Sequence, residues 1–352
     1  MAVFPKFLFI ISVIIIALSF ASLALGAPET KNPNTPPPPP QCGSDTGRGC
    51  RNKAAALKLK IIAIAAILVS SMVGVCAHMF SKMIPAVKPD TDLFVLIKAF
   101  ASGVILATGY MHVMPDSFNC LRSACLPEKP WKKFPFTTFV AMLSAILTLM
   151  VDSFAMSFYK KHKMDCPARE TVSQQQDSHH AAPVDESGPT QLLRYRVVAQ
   201  QVLEMGIIVH SVVIGLSLGA SENPCTIRPL VAALCFHQLF EGMGLGGCIL
   251  QAEYGLATRA IMAFFFSATT PFGIVLGIGV SNVYSDNSPT ALIVVGLLNA
   301  CSAGLLNYMA LVDLLASDFM GNKLQKNMKL QTWAYVAVLL GAGGMSVMAL
   351  WA

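Results

Sequence analysis

An all-α membrane protein is the fold class this sequence predicts, with eight transmembrane helices in a 3+2+3 arrangement behind a cleavable signal peptide. Two observations carry the prediction. Of the 352 residues, 54% are hydrophobic and only 12% charged, whereas a soluble domain is about a quarter charged. The apolar residues also gather into runs of about twenty, the length of helix that crosses roughly 30 Å of hydrocarbon. The net charge of +6 is spread over the connecting segments, which speaks against a nucleic-acid partner.

The first apolar run follows Lys6 and closes on Ala24, Leu25, Gly26 and Ala27 before Pro28. That pattern is a signal peptide over residues 1–27; the run is also long enough to be a ninth helix, and both readings stand at this point. Residues 28–56 contain "KNPNTPPPPPQCGSDTGRGC", a proline-rich tail that stays extended and solvated. The eight membrane runs fall near 61–80, 93–115, 136–159, 197–219, 229–252, 260–281, 290–316 and 331–352. Helices 1–3 thus occupy 57–159, a polar loop 160–195, and helices 4–8 residues 196–352. The plan suggests inverted repeats, although the flanking triplets share no clear internal match. Lys and Arg are moderately enriched in segments such as Lys160–Lys163 and Lys323–Lys329. The positive-inside bias therefore sets both termini outside.

The ten cysteines divide by topology. Cys42 and Cys50 in the tail, and Cys120 and Cys125 after the second helix, face the oxidising side, where a Cys42–Cys50 and a Cys120–Cys125 disulfide can form. Cys76, Cys235, Cys248 and Cys301 lie within helices as small buried apolar residues. In the loop, His162, His179 and His180 are weak candidates for cytosolic metal contacts, set against a plain solvated linker.

Ionisable residues inside the spans are the functional signal, because a charge at a helix centre costs about 2.5–3.5 kcal/mol on insertion. The stretches "EMGIIVHSVVIGLSLGA" and "LVAALCFHQLFEGMGLGGCI" each carry a mid-span histidine. His237 and Glu241 lie one turn apart, about 40° around the axis. The short connection "SENPCTIRP" makes the two helices antiparallel neighbours. Counting inward at 1.5 Å per residue sets His210 about 16 Å deep, and His237 and Glu241 about 12 and 18 Å deep. Two imidazoles and a carboxylate at one depth suit Zn²⁺, Fe²⁺ or Mn²⁺ better than Ca²⁺ or Mg²⁺. The alternative is a purely structural hydrogen bond between a histidine and the glutamate. Ser211 and Gln238 are candidates to add oxygens or orient the rings, although Gln238 points about 100° from His237 on an ideal helix. His112 and Asp116 sit at the outer end of the second helix, where water and an incoming cation can reach them. Glu204 is a candidate exit ligand, but lies about 120° from His210 around the axis. Asp152, Asn299, Asn307 and Asp313 either line the path or tie helices together.

"HSVVIGLSLGA", "IRPLVAALCFHQLFEGMGLGGCI" and "KAFASGVILATGYMHVMPDSF" resemble the ZIP family of zinc- and iron-regulated transporters, in its plant plasma-membrane branch. The resemblance runs from about Ala55 to Ala352. It implies eight helices, both termini outside, a variable cytoplasmic loop after the third, and import of divalent metal. It also implies metal ligands at His210, His237 and Glu241, with Gln238 adjacent and an entrance near His112 and Asp116. Two features depart from the pattern. Ile214 stands where some relatives carry a second carboxylate, and the loop lacks repeated His-x-His.

The expected function is Zn²⁺ transport across the plasma membrane, with Fe²⁺, Mn²⁺ or Cd²⁺ as further cargo. Metal is the substrate, and no cofactor or catalytic residue is expected. Metal ions and the bilayer are the expected partners, and a homodimer is left open. Acid outside should weaken capture, since only neutral imidazole binds metal. Two rivals share the same ligands: an intramembrane metallohydrolase, which lacks a His-Glu-x-x-His signature, and a non-transporting metal sensor.

Overall fold

The computed structural model describes residues 52–79, 91–164, 207–251, 255–280 and 288–350. Within them every regular element is helical. The expected signal peptide, the Cys42 and Cys50 pair, Glu204, His179 and His180 lie outside the described residues. The elements are α1 (Lys53–Met79), α2 (Asp92–Leu121), α3 (Phe136–Met164), α4 (Ile207–Ala220), α5 (Pro224–Gln251), α6 (Leu256–Val280), α7 (Pro289–Phe319) and α8 (Met328–Met348). Seven are long and apolar enough to cross a membrane, and α4, over its described residues, is a shorter apolar helix.

Caps set several starts. Thr91 Oγ1 accepts from the Phe94 N–H at 3.3 Å, Ser288 Oγ from Ala291 at 3.2 Å with Pro289 opening the helix, and Asn327 Oδ1 from Leu330 at 3.1 Å. Such starts, and the lysine-rich first turns of α1, carry helices beyond their apolar runs. A helix satisfies its own backbone through the interface as well as in hydrocarbon. For the same reason α3 continues to Met164, so His162 belongs to its last turn rather than to the loop expected from residue 160. Two long helices change pitch midway: α2 is π-helical over Thr108–Val113, and α7 over Met309–Ala316. Pro229 and Pro271 lie inside α5 and α6 without ending them.

The helices pack as two groups, neither a sequence triplet. In the first, α1 lies on α5 and α6. Ala63, Ile67, Ile214, Leu218, Leu234 and Ile274 from α1, α4, α5 and α6 share one apolar core. Glycines bring these backbones together: a Cβ on Gly215 would lie 2.6 Å from the Thr270 carbonyl oxygen, and one on Gly246 2.6 Å from that of Val75. Real Cβ atoms cannot approach so closely, so these contacts require glycine. In the second group, α2 lies on α8, and α7 on α2 and α3. Gly103 there abuts the Val338 carbonyl, and Gly304 that of Ala141. Between groups the approach is looser. A Cβ on Gly244 of α5 would meet only the Ile105 and Ala101 side chains of α2, at 3.3 and 3.8 Å.

Large apolar side chains face outward, among them Val73, Ile146, Phe154, Phe264, Val275 and Leu339, as on helices whose surroundings are hydrocarbon. The cysteines depart from expectation. Cys120 and Cys125 are not joined to one another; the Cβ of Cys120 lies at the α2–α7 contact, 3.1 Å from where a Cβ on Gly296 would stand. Cys225, at the start of α5, is disulfide-bonded.

Candidate metal centre

α4 and α5 belong to the same packed group, and their facing sides hold the histidines. The His210 and His237 rings lie 5.7 Å apart, tilted by 50°. His210, His237 and Glu241 each offer a ligand atom, and these atoms all lie within 4.8 Å of one another. Exposure is 1% for His210 and 0% for His237 and Glu241. That burial decides the chemistry. Polar atoms removed from water are normally hydrogen-bonded, since leaving them bare is costly. Yet both Glu241 carboxylate oxygens and both His210 ring nitrogens lack a hydrogen-bond partner. The structural alternative, a histidine hydrogen-bonded to Glu241, is therefore not made.

Around this trio the candidates differ. Ser211 is fully buried and its hydroxyl lacks a hydrogen-bond partner. Gln238 is turned toward α6, where its Oε1 faces the Thr270 hydroxyl at 3.5 Å, at the weak limit of a hydrogen bond. Its position follows from the roughly 100° step per residue that separates it from His237.

His112 departs from expectation. Instead of sitting at a wetted rim it is 6% exposed, with its ring 6.1 Å from that of His237. The π-helical turn of α2 carries it, and such turns often mark functional positions in helices. It stands beside the trio without joining the set of converging ligand atoms. Asp116, one turn on, is exposed. Asp116 is thus exposed, while His112 is buried with its ring beside that of His237.

Sequence reasoning missed the buried hydroxyls of α6 and, for Asp152, which helix and residue it ties to. Ser267 and Thr270 of α6 are buried, with Thr270 against Gln238; the run "FFFSATTPFG" was their only signal. Farther along the bundle, Asp152 of α3 and Tyr308 of α7 are hydrogen-bonded at 2.9 Å. Their meeting depends on helix packing that no local pattern encodes.

A sequence profile described as "ZIP Zinc transporter" matches residues 57–349. Among characterised proteins, the chain is 61% identical to "Fe(2+) transport protein 1" of Oryza sativa subsp. japonica over 86% of each chain. It is 57% identical to "Fe(2+) transport protein 1" of Arabidopsis thaliana over 96% of this chain and 97% of the relative. With "Probable zinc transporter 8" of Arabidopsis thaliana it shares 60% identity over 89% and 91%.

Proposed function

The chain belongs to the ZIP zinc transporter family, and from that premise we propose that it imports Zn²⁺ or Fe²⁺ through a site made by His210, His237 and Glu241. It is a multi-pass membrane protein that carries divalent metal. The metallohydrolase alternative falls away, because the relatives are named as transporters.

One observation carries the ligand assignment: three ligand atoms converge within 4.8 Å in a buried position, with the Glu241 oxygens and His210 nitrogens lacking hydrogen-bond partners. An N₂O set of this kind suits Zn²⁺ and Fe²⁺, and Mn²⁺ and Cd²⁺ are further cargo to be ranked by competition. Metal passes Asp116 and then His112, is held by the trio with Gln238 and Ser211 alongside, and leaves toward the cytosol when one helix group moves against the other. The glycine contacts support that division, being backbone-close within groups and side-chain-mediated at Gly244 between them. The topology in this reading has eight spans, both termini outside the cell, a signal peptide over 1–27 and a cytoplasmic loop after α3, in the plasma membrane.

Uptake of radioactive zinc into cells expressing the full chain tests the reading. Saturable uptake should appear with the wild type and fall to the level of empty cells in His210→Ala, His237→Ala and Glu241→Ala. Unchanged uptake in these variants, at equal surface expression, would refute the ligand assignment.

A further inference from the structure

We propose that Cys225, at the start of α5, is joined to Cys50 in the tail ahead of α1, so that a disulfide staples α1 to the α4–α5 connection. Cys225 is disulfide-bonded and exposed. Cys76, Cys120, Cys125, Cys235, Cys248 and Cys301 take no part in a disulfide. Of the ten cysteines, that leaves Cys42, Cys50 and Cys166 as partners, all three outside the described residues.

Helix direction removes Cys166. His112 of α2 lies beside His237 of α5, and Ala101 beside Gly244. These helices therefore run antiparallel, and α2 ends at the level where α5 begins. Near that end of α2, the Ser117 hydroxyl donates to Thr137 in the first turn of α3 at 3.0 Å. The 29 residues of α3 then lead away from Cys225 over about 43 Å. Cys166 follows Met164 by two residues, which reach back at most about 7 Å.

An ion pair selects Cys50. Lys53, in the first turn of α1, meets Glu222 in the α4–α5 connection at 2.9 Å. Cys50 precedes Lys53 by three residues and Cys225 follows Glu222 by three, so both thiols flank one contact. Asn52 opens α1, its Oδ1 accepting the Ala55 N–H at 3.0 Å, and Cys50 is within about 7 Å of Asn52 along the chain. Cys42 is eight residues farther back, and closing the longer loop costs more entropy. Because Lys53 is exposed, its ion pair contributes little alone; the covalent bond is what holds the two segments. The bond takes Cys50 out of the Cys42–Cys50 pairing that spacing suggests.

In forming it, each thiol gives up one proton and one electron, and an oxidised thiol–disulfide oxidoreductase accepts them as its own disulfide becomes two thiols. Such a bond persists on the oxidising side of a membrane, where the proposed topology puts this end; the pairing rests on that reading for its sidedness alone. Both halves belong to the group of α1, α4, α5 and α6, so the staple ties that group together without bridging to the other.

Peptide mapping of the full chain tests the pairing. The protein is purified from cells without reductant, its thiols are blocked with N-ethylmaleimide, and it is digested unreduced. Cleavage after Arg48 and Arg51 separates Cys50 from Cys42. The Cys225 peptide should carry the Gly49–Arg51 peptide through a link that reductant removes. A link to the Cys42 or Cys166 peptide, or a blocked and unlinked Cys225, overturns the proposal. In Cys42→Ser the link should remain, and adding Cys50→Ser should let Cys225 react fully with maleimide before reduction. A Cys225 still protected in that double variant overturns it equally. The wild-type map decides the matter even if the variants fail to fold. No transport is read, so failure of this pairing and failure of the transport reading stay distinguishable.

Discussion

The two helix groups are built alike and equipped differently. Each is drawn together by glycines that bring backbone onto backbone, as Gly215 and Gly246 do in one and Gly103 and Gly304 in the other. The group of α1, α4, α5 and α6 carries two imidazoles and a carboxylate that converge at one point. The group of α2, α3, α7 and α8 carries Asp116 and His112 toward one end, and Asp152 and Asp313 farther along. A borderline metal is thus matched by one group and only approached by the other. In the proposed reading, the group that holds all three candidate ligands carries the ion as a body, and its neighbour supplies the surface it moves against.

The largest expected effect tests that asymmetry. Loss of a partner behind a metal ligand alone costs about 10–100-fold in affinity, so His237→Ala or Glu241→Ala should lower zinc uptake by more than about 100-fold. Uptake assays at matched expression check this. An equal loss from Asp152→Asn would erase the contrast between the groups.

Glycine substitutions sharpen it next. Gly246→Leu forces a side chain onto the Val75 carbonyl, so the variant should lose thermal stability in detergent, by at least the roughly 1–3 kcal/mol typical of overpacking. Gly244→Ala meets only the end of the Ile105 side chain and Ala101. It should leave stability within about 1 kcal/mol and slow transport if the groups slide at this contact. Melting by fluorescence-detected gel filtration, beside uptake rates, separates the two effects.

Smaller effects belong to the approach and the surround. His112→Ala should raise the zinc concentration for half-maximal uptake by about 10-fold with little change in maximal rate, if it lies on the proposed approach beside the trio and outside the converging set. Concentration dependence of initial uptake checks this. Thr270→Val removes a 3.5 Å contact to Gln238 and should change uptake by less than about threefold, in keeping with so weak a hydrogen bond.

Much of the centre was legible because helix geometry is rigid. A fixed rise per residue and a connection of a few residues between α4 and α5 set His210 level with His237 and Glu241, and those atoms lie together. The 100° step likewise turned Gln238 away, toward Thr270. What the sequence hid was packing between distant segments. Nothing local announces that α3 meets α7, so the Asp152–Tyr308 bond was invisible. The π-helical turn that seats His112 beside His237 also lacks a residue signature. Cysteine spacing was a poor guide as well: Cys120 and Cys125 are near in sequence but not joined to one another, while Cys225 is bonded. The 3+2+3 reading follows the order of the chain, and the groups in space interleave it.

Zinc X-ray absorption on the purified, zinc-loaded protein tests the central claim most directly. If His210, His237 and Glu241 hold the ion, the spectrum should contain nitrogen and oxygen at about 2.0–2.1 Å. It should also carry the outer-shell scattering of two imidazoles, reduced by half in His237→Ala and nearly absent when both histidines are replaced. A shell of oxygen alone in the wild type, or imidazole scattering untouched by these substitutions, would contradict it.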